Sequence, residues 1–163
     1  MEPLVTIAGA GNWLIESDRI GLRVIEKLQK RYNVELVEVC ILGNKALALF
    51  DYLHRQELLI VVDACIICNQ PGVIHLYEPD FSDDSLNNSW SLHQIGPMET
   101  LRIVEKLYSE ILPQRIIFIL VETEGFTITQ ELDIYEKIIL LIDQQIIDGT
   151  KNNLLLRENL FNL

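Results

Sequence analysis

Cysteine is scarce in this chain, which has 163 residues and only three cysteines, Cys40, Cys65 and Cys68. An odd number without a secretory leader argues against a disulfide framework. No leader is expected, because Met1-Glu2-Pro3-Leu4 has neither the positively charged start nor the cleavage site of a signal peptide. Long apolar runs are also absent, and none approaches the roughly 20 residues that span a membrane. These absences predict a cytoplasmic protein outside the membrane.

Basic residues are few as well. The chain carries 13 Lys and Arg against 24 Asp and Glu, which gives a net charge of −11. This balance disfavours nonspecific binding of nucleic acid, which needs a basic surface, and would suit a cation or a basic protein partner. Because 49% of the residues are hydrophobic, disorder is also disfavoured. We expect a single domain over residues 1–150, followed by a C-terminal tail over 151–163.

The segment Cys65-Ile66-Ile67-Cys68 has the spacing of a redox motif or of half a zinc site. A structural zinc site wants four ligands, and the chain contains no second cysteine pair. The apolar neighbours favour an interpretation as small buried hydrophobic residues. The role of the pair stays open at this point.

Apolar periodicity predicts strands that alternate with helices. Strands are expected at 3–9, Val34–Val39, Leu58–Asp63, Val73–Tyr77 and Arg115–Glu122, and helices from about Asp18 to Arg31, Asn44 to Leu53, Leu101 to Ile111 and Gln130 to Ile147. The fourth strand has the pattern of an edge strand that could run antiparallel. The alternation is typical of an α/β protein, a three-layer α/β/α sandwich around a twisted, mostly parallel sheet of about five strands.

Three polar residues stand where such a sheet places its ligands, at the carboxyl ends of strands. Asp18 follows the first strand, Asp63 ends the third, and His93 closes a polar loop before a helix. Two carboxylates and an imidazole suit a divalent transition metal with positions left open for substrate. Each also has a plainer interpretation, since Asp18 could cap a helix, Asp63 could cap the next element and His93 could have no role. Sequence distance alone does not bring them together.

The turn after the first strand admits another interpretation. Gly9-Ala10-Gly11-Asn12-Trp13-Leu14 begins like the dinucleotide fingerprint, but Leu14 stands where the third glycine belongs. Glu16 and Asp18 would also lie beside the pyrophosphate. A small nucleotide-binding α/β domain therefore remains an alternative that depends on two glycines. The sequence contains no phosphate-binding loop and no nucleophile elbow.

Several short blocks in order match one known family. They are Gly9-x-Gly11-Asn12-x-Leu14, Asp18, Gly21, Asp63-Ala64 and His93-Gln94-x-Gly96. Along roughly residues 4–147 the chain resembles the endopeptidases that mature the large subunits of nickel–iron hydrogenases. The resemblance implies a phosphorylase/hydrolase-like α/β/α fold. It also implies a metal-dependent endopeptidase that removes a short C-terminal extension from a nickel-loaded large-subunit precursor.

Carried over by position, the resemblance makes Asp18, Asp63 and His93 the catalytic and metal-contacting residues, with Glu16 as the runner-up for the first of them. The implied metal is Ni²⁺, presented by the precursor, and it would bridge the three side chains and the substrate near the scissile peptide. The family is not known to need a serine or cysteine nucleophile.

The chain also departs from the family pattern. Ser17 replaces the first acid of the usual acidic pair, and Arg19 puts a positive charge beside the expected ligand. The family's Asp-Gly-Gly-Thr-x-Gly loop, associated with substrate recognition, reads Glu38-Val39-Cys40-Ile41-Leu42-Gly43. Glu38 and Gly43 survive, while the loss of the double glycine predicts a stiffer segment. The chain could thus be a divergent peptidase, or a catalytically altered homologue that acts as a binding or chaperone-like module for the precursor.

Overall fold

The computed structural model describes residues 2–81, 95–125, 128–149 and 159–161, with the backbone alone for 128–131. Its five strands are β1 (Val5–Ala10), β2 (Val37–Gly43), β3 (Leu58–Cys65), β4 (Ile74–Tyr77) and β5 (Arg115–Glu122). They form one sheet in the order β2-β1-β3-β5-β4. All neighbouring pairs are parallel except β4 with β5. The expected mostly parallel sheet, with an antiparallel edge strand, is confirmed.

The helices of the described residues are α1 (Ile20–Leu28), α2 (Pro97–Leu107) and α3 (Ile128–Gly149), and within the same residues three 3₁₀ helices cover Glu16–Asp18, Ala46–Tyr52 and Ser109–Ile111. One face of the sheet packs against α1 and α3, where Val24, Ile25, Ile138 and Ile142 are buried. The other face packs against α2 and the Ala46–Tyr52 helix through Leu49, Leu101 and Val104. The three-layer α/β/α sandwich is therefore confirmed. Among the described residues, no helix combines the length and apolar character of a membrane span.

The central position of β1 and β3 follows from their composition. All six residues of β1 are buried, and so are the first five of β3. A strand covered by helices on both faces needs such an unbroken apolar run, whereas an edge strand alternates. Accordingly, β2 at one edge mixes buried and exposed residues, and β4 at the other edge has no fully buried residue.

Several predicted boundaries were wrong, for local reasons. Strand β2 starts at Val37 rather than Val34, because Asn33 accepts the amides of Leu36 and Val37 and so forms a turn first. It then continues to Gly43. The helix expected from Asn44 to Leu53 is a shorter 3₁₀ helix. Strand β3 extends two residues past Asp63 to Cys65, so that Asp63 lies inside the strand rather than at its last position.

The described end of the chain packs back onto the domain. Leu160 is buried, with 3% of its surface exposed, in the core beneath α1 and α3. Its carbonyl accepts a hydrogen bond from the Asn33 amide at 2.9 Å. The Phe161 ring lies 5.8 Å from the ring of Tyr32. The remaining tail, 150–158 and 162–163, lies outside the described residues.

Candidate metal-contacting site

The turn that leaves β1 is built around Gly11. Its φ of +136° lies in the region that favours glycine, and a Cβ there would meet the Asp18 carbonyl oxygen at 2.0 Å. The Gly11 amide donates to the Gly43 carbonyl at 3.0 Å, and the Asn12 amide donates to the Asp18 carbonyl at 3.0 Å. The loop therefore closes on itself, and this closure returns Asp18 to the end of the strand.

Asp18 lies in the 3₁₀ helix Glu16–Asp18, which is hydrogen-bonded to the segment just after β5. The hydroxyl of Thr123, one residue beyond that strand, donates to the Ser17 carbonyl. Helix α1 starts only at Ile20, with Arg19 as its N-cap and no capping side chain. The interpretation of Asp18 as a helix cap is therefore wrong. Its carboxylate remains available for another role.

Helix α1 approaches the sheet closely because two glycines face each other. A Cβ on Gly21 would lie 2.3 Å from the Val62 carbonyl oxygen and 2.5 Å from that of Ala10. A Cβ on Gly9 would lie 2.5 Å from the Gly21 carbonyl oxygen. Only hydrogen fits at either position. The residues just before Gly11 and Asp63 are thus held against the start of the same helix.

The carboxylates of Asp18 and Asp63 are electrostatic neighbours. Burial raises the pKa of Asp63 to about 7. The Ala64 amide donates to Asp63 Oδ1 at 2.9 Å, and this hydrogen bond lowers the pKa but does not outweigh the effect of burial. The negative charge of Asp18 raises this pKa further. Burial also raises the pKa of Asp18, while a hydrogen bond from the Asn12 amide opposes the shift. A cation between the two groups would favour the ionised form of both.

Glu16 stands apart from this pair. Its side chain is 90% exposed, and its Oε1 lies 3.5 Å from a guanidinium nitrogen of Arg19. The positive charge of Arg19 is therefore directed toward Glu16. Of the two acids on the loop, only Asp18 is partly buried and acts electrostatically on Asp63.

A cleft of about 410 Å³ opens beside Asp18. Its walls come from the loop after β1 and from the ends of β3 and β5, and the lining residues are Ser17, Asp18, Ala64, Cys65, Ile66, Thr123 and Glu124. Sequence reasoning missed Thr123, although its position directly after a core strand was a usable signal.

The third expected ligand, His93, lies outside the described residues, within 82–94. The structure resumes just before α2, where the Gly96 amide donates to Glu99 Oε2 at 3.0 Å and Pro97 starts the helix. The convergence of His93 on the two carboxylates stays a prediction.

The two residues expected to contact substrate, Glu38 and Gly43, lie at different positions along β2. Gly43 pairs with Ala10 at the end of β1 and contacts the turn that holds Asp18. Glu38 pairs with Thr6, five residues before Gly43 and thus roughly 16 Å away along the strand. The segment from Glu38 to Gly43 continues the strand, so that only its end reaches the site.

Comparison of the sequence with known proteins gives one consistent family. A model described as hydrogenase maturation protease matches residues 22–146. The hydrogenase 2 maturation protease of Escherichia coli (strain K12) is 28% identical over 99 residues, 60% of this chain and 60% of that protein. The hydrogenase expression/formation protein HupD of Thiocapsa roseopersicina is 30% identical over 111 residues, 65% and 49% of the two chains. The chain thus spans about half to three fifths of these relatives.

Solved structures give the same result over more of the chain. An endopeptidase from Escherichia coli, solved in solution, superposes with a TM-score of 0.67 at 25% identity, covering 89% of this chain and 93% of that one. The hydrogenase maturating endopeptidase HybD from E. coli has a TM-score of 0.66 at 24% identity, with 86% and 93% covered. The second likeness concerns the fold alone.

Proposed function

Because the chain belongs to the hydrogenase maturation protease family, we propose that it is an endopeptidase that removes the C-terminal extension from a nickel-loaded hydrogenase large-subunit precursor. The observation that carries the proposal is the electrostatic interaction of Asp18 with Asp63, two partly buried carboxylates, one in the loop after β1 and the other within the neighbouring strand β3 near its carboxyl end. They come from separate segments, and the β1 turn, α1 and β5 all help to position them.

In the proposed reaction the nickel belongs to the substrate. The carboxylates of Asp18 and Asp63 bind it from one side, and His93 supplies the imidazole that completes the set. The precursor then lies in the cleft beside Asp18, where Gly43 and the turn after β1 form the rim. By contacting the metal, the protein thus recognises a precursor that has already received nickel.

We place this reaction in the cytoplasm, with the precursor as partner and neither nucleic acid nor membrane involved. Free thiols at Cys40, Cys65 and Cys68 suit a reducing compartment. Gly43 contacts substrate at the rim, and Glu38 acts further along β2. Both assignments rest on the family pattern, and only that of Gly43 is also supported by its place beside the turn that holds Asp18.

The test is cleavage of a purified, nickel-loaded precursor, followed by the mass of the large subunit. Asp18→Asn and Asp63→Asn keep the shape of each side chain but remove a negative charge. We expect each to slow cleavage at least about 100-fold, because losing even a group that only hydrogen-bonds a metal ligand costs roughly 10- to 100-fold.

Glu16→Gln is the matched control, because it removes a charge from the same loop at an exposed side chain. It should cleave at close to the unchanged rate. A precursor with verified nickel that stays intact, with every candidate partner, would contradict the peptidase proposal. Stable copurification of the uncleaved precursor would instead support a binding or chaperone-like module, which the altered segment from Val39 to Leu42 also suggests.

A further inference from the structure

A second group of potential metal ligands lies beyond Asp63, where β3 reaches Cys65. Cys65, His75 and Glu122 each offer one ligand atom, and these atoms all lie within 4.8 Å of one another. They come from three adjacent strands, because Cys65 pairs with Glu122 and His75 pairs with Leu120 on β5. The register of the sheet therefore places sulfur, imidazole and carboxylate together.

Cys68 joins this group through a tight turn. Its Sγ lies 3.9 Å from His75 Nε2. The amides of Ile67 and Cys68 donate to Glu122 Oε1 at 2.6 and 2.7 Å. The Gly72 amide also donates to the Glu122 carbonyl at 2.8 Å. The segment between β3 and β4 is thus folded over Glu122, which brings the second thiol to the same place.

Glu122 is an unusual residue in this position. It is only 1% exposed, and its Oε2 has no hydrogen-bond partner within the described part of the chain. Its Oε1 is already engaged by two amides and lies 3.3 Å from His75 Nε2. A buried carboxylate oxygen without a partner is costly, and a bound cation would offset that cost.

The spacing of the side chains fits a small tetrahedral ion. Zinc bonds of about 2.0–2.3 Å separate neighbouring tetrahedral ligands by roughly 3.3–3.8 Å. The distance from His75 Nε2 to Glu122 Oε1 is 3.3 Å, and the distance from Cys68 Sγ to His75 Nε2 is 3.9 Å. Both are close to the edges of such a tetrahedron, and the ligand atoms of Cys65, His75 and Glu122 lie within 4.8 Å of one another.

We propose that Cys65, Cys68, His75 and Glu122 form a second metal site, for zinc or a zinc-like divalent cation that prefers thiolates. Two sulfurs and an imidazole select such an ion, whereas the site of Asp18 and Asp63 offers oxygen ligands. The proposal does not depend on the peptidase function. Metal binding would release the thiol protons to solvent and give the unpartnered Oε2 of Glu122 a positively charged partner.

The location gives the metal a structural consequence for the cleft. Cys65 and Ile66 line the cleft together with Asp18, and Cys65 follows Asp63 by two residues on the same strand. An ion held by Cys65, Cys68, His75 and Glu122 joins the ends of β3, β4 and β5. It thereby fixes the part of the cleft wall that Cys65 and Ile66 form.

The experiment measures zinc in the full-length protein, without any precursor. We expect one tightly bound zinc per chain by elemental analysis after dialysis. Cobalt replacement should give thiolate-to-cobalt charge-transfer absorption. In Cys68→Ser and His75→Gln, zinc affinity should fall at least as far as the roughly 10- to 100-fold caused by removing a group that hydrogen-bonds a metal ligand. Cys68 is exposed, so its serine variant should fold, and metal-free melting checks this.

Two controls separate this site from the acidic pair. Asp63→Asn should keep the zinc and the cobalt absorption, and Cys40→Ala, which removes a buried cysteine on β2, should keep them too. Zinc binding lost in Asp63→Asn but retained in Cys68→Ser would overturn the proposal. So would a chain that binds no zinc after full reduction, or a stable Cys65–Cys68 disulfide in the protein as isolated under reducing conditions.

Discussion

At the scale of single residues, the main electrostatic feature of the site is the raised pKa of Asp63. A carboxylate that is neutral up to about pH 7 is unusual, and its cause here is burial, reinforced by the charge of Asp18. The folded chain therefore disfavours the ionised form, which is the form that would contact nickel. Without a cation, ionisation of Asp63 opposes folding.

This opposition predicts a pH-dependent stability. The pKa of Asp63 rises from 3.8 to about 7 on folding, so between these values the folded chain holds a proton that the unfolded chain has lost. Stability from this group is therefore complete below about pH 4 and declines as pH rises to about 7. Asp63→Asn cannot ionise, and in chelator-treated protein its melting temperature should exceed that of the unchanged chain by more at pH 8 than at pH 5.

Asp51→Asn is the control, because Asp51 is exposed on the Ala46–Tyr52 helix. Its melting curves should follow the unchanged chain at both pH values. If the difference in melting temperature between Asp63→Asn and the unchanged chain were the same at pH 5 and pH 8, the raised pKa of Asp63 would be contradicted.

The sequence predicts that Asp18 and Asp63 lie near each other, because parallel strands bring their carboxyl ends to one edge, and the charge of Asp18 does act on Asp63. The sequence also favoured Cys65 and Cys68 as small buried residues. This was wrong for their burial, since Cys65 is half-buried, Cys68 is exposed, and Ile66 and Ile67 are 70% and 61% exposed. The convergence with His75 depends on the antiparallel register of β4 against β5. No spacing in the sequence specifies that register.

At the scale of elements, the start of α1 is positioned by a contact that admits no side chain. Gly21→Ala would put a Cβ 2.3 and 2.5 Å from two backbone carbonyl oxygens on β3 and β1. The helix must move away, which should cost about 1–3 kcal/mol of unfolding free energy and displace the Asp18 loop. We expect lower stability in denaturant titrations and slower precursor cleavage.

Gly149→Ala is a matched control at the end of α3, where the added Cβ meets its nearest atoms at 3.5 Å. It should leave both unfolding and cleavage nearly unchanged. If Gly21→Ala behaved like Gly149→Ala, the packing of α1 would not position the loop.

The elements themselves were largely predictable, because unbroken apolar runs mark buried strands and a 3.6-residue period marks the helices. Strand β5 has the predicted bounds. Where prediction failed, local hydrogen bonds decided the outcome: Asn33 delays β2 through contacts with Leu36 and Val37, and Arg19 rather than Asp18 stands at the N-cap of α1. Propensity does not anticipate such competition between a turn and a strand.

At the scale of the whole molecule, the fold combines residues from both ends of the chain. The α1 and α3 layer is completed by Leu160, which packs with residues such as Val5 and Ile25. The Phe161 ring contacts the ring of Tyr32 in a tilted arrangement. The guanidinium of Arg31 lies 5.2 Å from the centre of the Phe161 ring. The sequence predicts a C-terminal tail over 151–163, but Asn33, whose amide donates to the Leu160 carbonyl, lies far away in the chain.

Leu160→Ala tests whether this closure stabilises the domain. Removal of a buried leucine side chain typically costs about 2–5 kcal/mol, and each kcal/mol lowers the melting temperature of a chain of this size by about 2–4 °C. Leu140→Ala makes the same truncation on α3 at 65% exposure and should change little. Since Leu160 shares one core with β1 and α1, the loss should lower the midpoint of the whole domain. Equal melting of the two variants would mean that the docked end contributes no stability.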